Sequence, residues 1–304
     1  MAATPHICVC VCTFKRAPLI SGLLKELEGQ ETEGLFEHSI VIVDNDSSQS
    51  ARKTVESYTA HSKVPISYHV EPVQNIALAR NRAVAASRGD FIAFIDDDEV
   101  PSSRWLVSLF KSLVFFETSG VLGPVLPFYR GVPPSWVFTG EFFARPTYYS
   151  GYFLDWDITR MGNCLIRSSV FQERDDWFQA PYGRGGEDRD FFKRKIAQGY
   201  VFVWCHEAPL FELIPPERWA LSHMIKRALL RGRQTYIAQQ HSAADLLASL
   251  AALLGYSMGL PLLFAFWPIF GYDVFMKYLV KDFDHLGKLA ALFGIDPVKE
   301  RYVT

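Results

Sequence analysis

Asp96-Asp97-Asp98 is the most chemically loaded triplet in this 304-residue chain. Three adjacent carboxylates repel one another, and burying them without partners is costly. An oxygen-liganded cation such as Mg²⁺ or Mn²⁺ relieves that cost, and Mg²⁺ favours one or two protein carboxylates completed by substrate phosphates. A solvated loop would also tolerate the triplet; the apolar run over residues 91–95 that leads into it favours a metal–phosphate role. A second acidic pair, Glu187-Asp188, follows Gly183-Arg184-Gly185-Gly186. It either caps a helix, whose N-terminus favours ionised carboxylates, or places a general base within reach of an acceptor hydroxyl. The glycines let the backbone approach a substrate closely. No Gly-Lys-Ser/Thr follows, so this is not a Walker phosphate loop.

Other polar groups admit two uses. Asp44 closes an apolar run and is either a turn and helix cap or an acceptor for a nucleotide base or ribose. Arg80, Asn81 and Arg82 are either a charged helix face or part of a site. Arg218, Arg227, Arg231 and Arg233 would meet anionic lipid or neutralise a diphosphate leaving group. His206 and His223 fit structural roles better than metal ligation.

The elements that must position these groups alternate in kind. Residues 7–14, 39–43, 66–70 and 91–95 have strand patterns, and residues 18–27, 50–61 and 76–87 have helical ones. This alternation predicts an α/β fold with a mostly parallel sheet flanked by helices, where ligands bind beyond the carboxyl ends of strands. The clusters after Phe14, Val43 and Ile95 all lie at such ends. Further on, the pattern predicts helices over 105–116 and 187–197, strands over 163–166 and 200–205, and an aromatic loop over 131–152.

Composition excludes some classes. Lys+Arg number 31 and Asp+Glu 33, so a general nucleic-acid binder is disfavoured and no nucleic acid is expected as partner. Cys8, Cys10 and Cys12 alternate on one strand face and read as buried thiols of a reduced compartment. The start of the chain lacks the apolar length of a secretion signal, so the catalytic part is expected to be cytosolic. Residues 246–272 carry no charge, but Gly255, Gly259, Pro261 and Pro268 interrupt them. A helix break between Met258 and Pro261 is expected, giving a monotopic, in-plane or re-entrant pair rather than a single span. The division is thus 1–235, catalytic, and 236–304, helical, apolar and membrane-associating.

The ordered segments 9–16, 41–48, 75–81, 89–101, 162–167 and 186–190 resemble the family 2 glycosyltransferases of the GT-A fold. Glu212-Leu-Ile-Pro-Pro-Glu217-Arg218 and the arginine-rich stretch after it look like the bacterial succinoglycan and exopolysaccharide branch. The resemblance implies inverting transfer from a nucleoside-diphosphate sugar, UDP-sugar favoured, to a hydroxyl; the uncharged residues 246–272 suggest a glycan or polyprenyl-diphosphate-linked saccharide as the acceptor. Asp44 would contact the base, Asp96 the ribose, and Asp98 a divalent metal, Mg²⁺ or Mn²⁺. Asp188, with Glu187 beside it, matches the catalytic base. Thr13 and Arg16 would lie near the nucleotide, and Gly162 and Asn163 would pass the donor sugar. Asp46, Asn75, Arg80 and Asp97 complete the donor set, with Arg227 and Arg231 as diphosphate contacts. Asp44-Asn45-Asp46 replaces the usual Asp-Gly pattern, which leaves uracil and guanine open. The implied location is the cytoplasmic face of the cell membrane. A nucleotidyltransferase and a non-catalytic glycan-binding scaffold are the competing readings.

Overall fold

Alternating side chains on the first strand supply two apolar layers at once. In β1 (His6–Thr13), Ile7, Val9 and Val11 join one buried cluster while Cys8 and Cys10 join another. A strand buried on both faces belongs at the centre of a sheet, and β1 lies there between β2 (Glu37–Asp44) and β4 (Phe91–Asp96), parallel to both. The computed structural model describes residues 4–172, 177–238 and 243–298. The helices of the alternating half are α1 (Ala17–Glu28), α2 (Arg52–Thr59) and α3 (Ile76–Ala86), with β3 (Ile66–Val70) parallel to β2. Beyond β4 come β5 (Glu99–Pro101), α4 (Trp105–Phe115), β6 (Gly120–Leu122), β7 (Val125–Tyr129), α5 (Ser135–Thr139), β8 (Asn163–Arg167), α6 (Glu187–Ala197), β9 (Phe202–Trp204) and β10 (Leu210–Ile214).

The main sheet has seven strands in the order β3-β2-β1-β4-β8-β6-β9. β8 runs antiparallel to both β4 and β6, so the sheet is mixed rather than parallel throughout. β5 pairs antiparallel with β10, which sets Glu99 opposite Glu212. Strands as short as β5 and β6, three residues each, show no periodicity, so composition did not announce them.

The chain divides into two compact units, Met1–Leu126 with Arg145–Leu213, and Pro127–Ala144 with Ile214–Thr304. The first holds the main sheet and both apolar clusters. The second contains α5, α7 (Leu221–Ala238), α8 (Ala243–Ala265), α9 (Trp267–Phe270) and α10 (Tyr272–Leu292). The compositional step at residue 236 falls inside this unit, near the end of α7. The aromatic segment expected to be loop contains the short helix α5, and its rings pack on one another, as in the Trp136–Phe142 and Tyr148–Tyr152 pairs.

The expected break between Met258 and Pro261 does not occur. α8 is one helix with Pro261 inside it, and the turn comes after Ala265. Proline removes one ladder hydrogen bond. Contacts with α10 on either side of it hold the helix together: Ser257 Oγ donates to Asp282 Oδ1 at 3.1 Å, and Phe264 meets Phe275 at 5.3 Å. Pro268 instead sits in the first turn of α9, where its missing N–H has no partner to lose.

α7 and α10 cross closely through two glycines. A Cβ on Gly232 would lie 1.9 Å from the Asp284 carbonyl oxygen, and one on Gly287 would lie 2.2 Å from that of Leu229. Arg231 adds a two-pronged pair to Asp284, at 3.1 and 3.0 Å. Gly287→Val should therefore force the helices apart and cost about 1–3 kcal/mol of unfolding free energy. Gly255→Ala on α8 meets open space. It should leave stability unchanged or raise it by up to about 1 kcal/mol. Chemical denaturation of both variants checks the contrast.

Candidate active site

The carboxyl ends of β1, β2 and β4 reach one edge in register: Thr13 pairs with Asp44, and Cys12 with Asp96. Each strand ends in polar residues because the apolar layers stop there. Asp44 is fully buried. Its Oδ2 accepts from the Ala51 backbone N–H and the Tyr68 hydroxyl, each at 2.8 Å, and its Oδ1 accepts from the Asp46 N–H at 3.0 Å. Both oxygens therefore shape the turn and the start of α2. Asp46 accepts from the Ser48 hydroxyl at 2.6 Å, which holds its pKa below the ordinary carboxylate value.

Asn45 carries this order to the next loop. Its amide donates to the carbonyls of Glu71 and Val73 at 2.8 and 2.7 Å, and its Oδ1 accepts from the Asn75 N–H at 2.8 Å. Asn75 then caps α3 by accepting from the Ala77 and Leu78 N–H groups, while its amide donates to the Ala180 carbonyl at 2.9 Å. Asn81 exchanges two hydrogen bonds with the Phe178 backbone, at 2.8 and 2.9 Å. Helix α3 thus holds the segment that leads into Glu187-Asp188. Gly183 is a glycine for space: a Cβ there would lie 2.1 Å from the Asn75 side chain. Gly186, at φ 93°, is a glycine for conformation and turns the chain into α6.

The acidic triplet splits into different environments. Asp97 is buried, accepting from the Thr13 hydroxyl at 2.7 Å and from Arg16 Nη1 at 2.8 Å. The same Arg16 nitrogen reaches Asp98 Oδ2 at 3.1 Å. Burial pushes the Asp98 pKa up to about 6; Arg16 opposes the shift, and Asp97 and Asp96 add to it. Asp96 has a side chain that is 47% exposed. Its backbone N–H donates to Glu99 Oε2 at 3.0 Å, and Glu99 is buried. Burial, reinforced by Asp96, raises the Glu99 pKa well above the ordinary value. A Cβ on Gly162 would lie 2.8 Å from Asp96 Oδ2 and 2.9 Å from Glu99 Oε1, so only glycine admits this approach. Asn163 is committed to the core: it accepts from the Trp105 indole at 2.8 Å and donates to the Pro124 and Ala208 carbonyls.

Arg80 joins the two acidic groups. Its Nη1 bonds Glu187, and its Nη2 reaches Asp96 Oδ1 at 3.3 Å. Glu187 is buried, and its second oxygen has no hydrogen-bond partner among the described residues. Burial pushes its pKa up to about 7, with Arg80 opposing and the Asp188 charge reinforcing. Asp188 is half-buried and accepts from the Arg189 N–H at 2.8 Å. Of the two, Asp188 is the carboxylate open to a hydroxyl. Arg145 pairs with the buried Glu212 and acts on Glu99 as well. Arg145, Glu99 and Glu212 belong to this electrostatic system but were not singled out as site residues in the sequence, because only the β5–β10 pairing gathers them. Arg227 and Arg231 lie in the second unit. There Arg231 pairs with Asp284, and burial, with Arg218, Arg227 and Lys226 nearby, pushes the His223 pKa down to about 4.

Among the described residues no three His, Cys, Asp or Glu side chains gather into a cage for a metal. Around the triplet, however, the buried or half-buried carboxylates of Asp97, Asp98, Glu99 and Glu212 outnumber Arg16 and Arg145. That excess suits a hard cation held by one or two carboxylates and completed by phosphate oxygens. The donor set fits Mg²⁺ or Mn²⁺ through Asp98.

Residues 8–174 match the model of the family described as glycosyl transferase family 2. The chain is 32% identical over 235 residues to the succinoglycan biosynthesis protein ExoM of Rhizobium meliloti (strain 1021), covering 76% of this chain and 74% of ExoM. Its fold is similar to that of the mannosyltransferase PcManGT from Pyrobaculum calidifontis, solved with GDP-Man and Mn²⁺, with TM-score 0.60 and 17% identity, covering 97% of this chain and 89% of that one. It is also similar to residues 1–349 of S. aureus TarS in complex with UDP, with TM-score 0.52 and 15% identity, covering 97% and 94%. A further TarS structure is matched over 74% of this chain but only 40% of its own. The fold is thus that of GT-A glycosyltransferases.

Removing the Arg80 guanidinium strands Glu187 in a buried site. Arg80→Met should cost about 3–5 kcal/mol in urea unfolding. Arg80→Met combined with Glu187→Leu should recover most of that loss. An unrecovered double variant would show that the loss does not come from the stranded Glu187 carboxylate.

Proposed function

The chain belongs to glycosyltransferase family 2, and we propose that it transfers a sugar with inversion from a nucleoside-diphosphate sugar to a hydroxyl, with Asp188 as the base. One observation carries this reading: Arg80 ties Asp96, on the donor-binding strand end, to Glu187, next to the open carboxylate Asp188. Donor and acceptor are thereby addressed from two sides of one rigid junction, as in-line displacement requires.

Thr13 and Arg16 hold Asp97 and orient Asp98 toward the diphosphate. Asp96 is the exposed acid and takes the ribose. Asp44, Asp46, Asn75 and Arg80 act by fixing the loops around the nucleoside. Gly162 leaves room beside Asp96, and Asn163 holds Gly162 in place from the core. A divalent cation, when bound through Asp98, supplies the charge that neutralises the departing diphosphate. Asp188 removes the acceptor proton as the new bond forms. Glu187 keeps α6 in position through Arg80. Arg227 and Arg231, which the resemblance assigns to the diphosphate, lie in the second unit, where Arg231 pairs with Asp284.

Relatives solved with UDP, UDP-GlcNAc and GDP-Man support a nucleotide-sugar donor. The similarity to a succinoglycan biosynthesis protein supports a polysaccharide as product, and the uncharged residues 246–272 are the reason to propose a glycan or polyprenyl-diphosphate-linked saccharide as acceptor. The apolar α8 supports work at the membrane.

A thermal-shift series with UDP, GDP and their sugars, with and without Mn²⁺, tests the donor. One nucleoside diphosphate should stabilise the protein only with the metal, and Asp98→Ala should abolish that shift. Stabilisation by none of them would overturn the proposal. Asp188→Asn should keep the shift but lose transfer by about 10²–10⁴-fold, the range for a general base. Full transfer in that variant would remove Asp188 from the mechanism.

A further inference from the structure

Helix α8 has one side that packs and one that, among the described residues, nothing covers. Toward α10 it turns the buried Ser249 and the partly buried Tyr256, whose ring meets those of Tyr278 and His285. On the outside runs a stripe at helical spacing, Leu247, Leu250, Leu254, Met258 and Leu262, with Met258 78% exposed. The stripe continues past the helix end into the exposed Phe266, Trp267, Ile269 and Phe270. No charged residue interrupts it between Asp245 and Asp273. A soluble surface rarely leaves so long an apolar band uncovered.

Length alone would let α8 cross a bilayer: the 22 residues of Ala244–Ala265 reach about 33 Å at the helical rise. Its neighbour does not permit it. α8 lies along α10, which carries Asp273, Lys277, Lys281, Asp282, Asp284 and Lys288. A spanning α8 would drag these charges through hydrocarbon, where they are expensive. Helices α7 and α10 together carry seven Lys and Arg side chains against three acids, which suits an anionic surface. Lys277 and Lys281 are exposed.

We propose that the α8–α9–α10 hairpin lies in the plane of an anionic lipid surface, with the Leu247–Leu262 stripe and the aromatic tip sunk to the headgroup–acyl boundary and no segment crossing it. This deepens the membrane part of the reading above and does not depend on the transfer chemistry. An aromatic tip at this depth is the usual place for Trp in membrane proteins, and a long in-plane apolar face with basic neighbours is the form of an interfacial anchor.

The test uses the full chain and vesicles of equimolar phosphatidylglycerol and phosphatidylcholine. The protein should float with these vesicles, and pure phosphatidylcholine or high salt should weaken its partition. Leu254→Glu with Met258→Glu should bind at least tenfold less, with an unchanged melting temperature and unchanged nucleoside-diphosphate stabilisation. Fluorophores on cysteines placed at Leu247, Leu254 and Leu262 should be quenched equally by shallow brominated lipid. A label at Leu254 deeper than the other two would mean a span and overturn the proposal. No flotation, with light scattering showing a dimer that the double variant loses, would overturn it in favour of a second copy of the chain. Loss of the nucleotide response in wild type, with flotation intact, would refute the donor assignment and leave the anchor standing.

Discussion

The Arg80 guanidinium is the charge on which the geometry of the catalytic unit depends. It is buried, and its two nitrogens face different elements, Glu187 at the start of α6 and Asp96 at the end of β4. A buried carboxylate without its partner is strongly destabilising, so Glu187 is stable only where Arg80 can reach it. This fixes the loop–helix junction to the sheet edge. Asn75, at the N-cap of α3, and Asn81, beside Arg80, reinforce the same junction through the Ala180 carbonyl and the Phe178 backbone. One helix therefore aligns two halves of a site that are about a hundred residues apart in sequence.

A cost of this design is unbalanced charge. Burial drives the Asp98 and Glu187 carboxyls up to about 6 and about 7, although arginines oppose both shifts. Such shifts gather where a site must bind or move charge. Near the triplet the residual negative charge suits a cation; near Glu187 it leaves the neighbouring Asp188 as the accessible acid. The division of labour within each acidic group follows from burial more than from residue type. Asp97 and Glu187 are held inside and organise, while Asp96 and Asp188 are open and can meet a substrate.

The second unit follows a different logic. Reciprocal glycines let α7 and α10 approach closely, and the Arg231–Asp284 pair fixes their register. α8 adds one more helix to that pair but hides only one of its sides. The Ser257–Asp282 hydrogen bond faces α10, and a stripe of apolar groups points outward. That inversion of the usual soluble pattern is what makes a lipid surface the natural complement.

Much of this was legible in the residues. The alternation of apolar runs sets the order of β1, β2, β3 and β4 and their helices, because burial on both faces demands continuous apolar strands and a 3.6-residue period demands an apolar stripe. The same pattern puts Thr13, Asp44 and the Asp96 triplet at strand ends, since polar residues begin where the core stops. Sequence also marks residues 246–272 as uncharged. It left open what Asp44 and Arg80 do, because a capping or surface side chain and a ligand-binding one have the same local pattern. Tertiary structure supplies their contacts: Asp44 closes a turn and Arg80 bridges two acids, while Asn163 is drawn into the core. It also created the Glu99–Glu212–Arg145 group by pairing two strands of three and five residues, too short to announce themselves. And it kept α8 continuous through Pro261, because the strength of a helix at a proline depends on the neighbour it packs against, and that neighbour lies outside any local window of sequence.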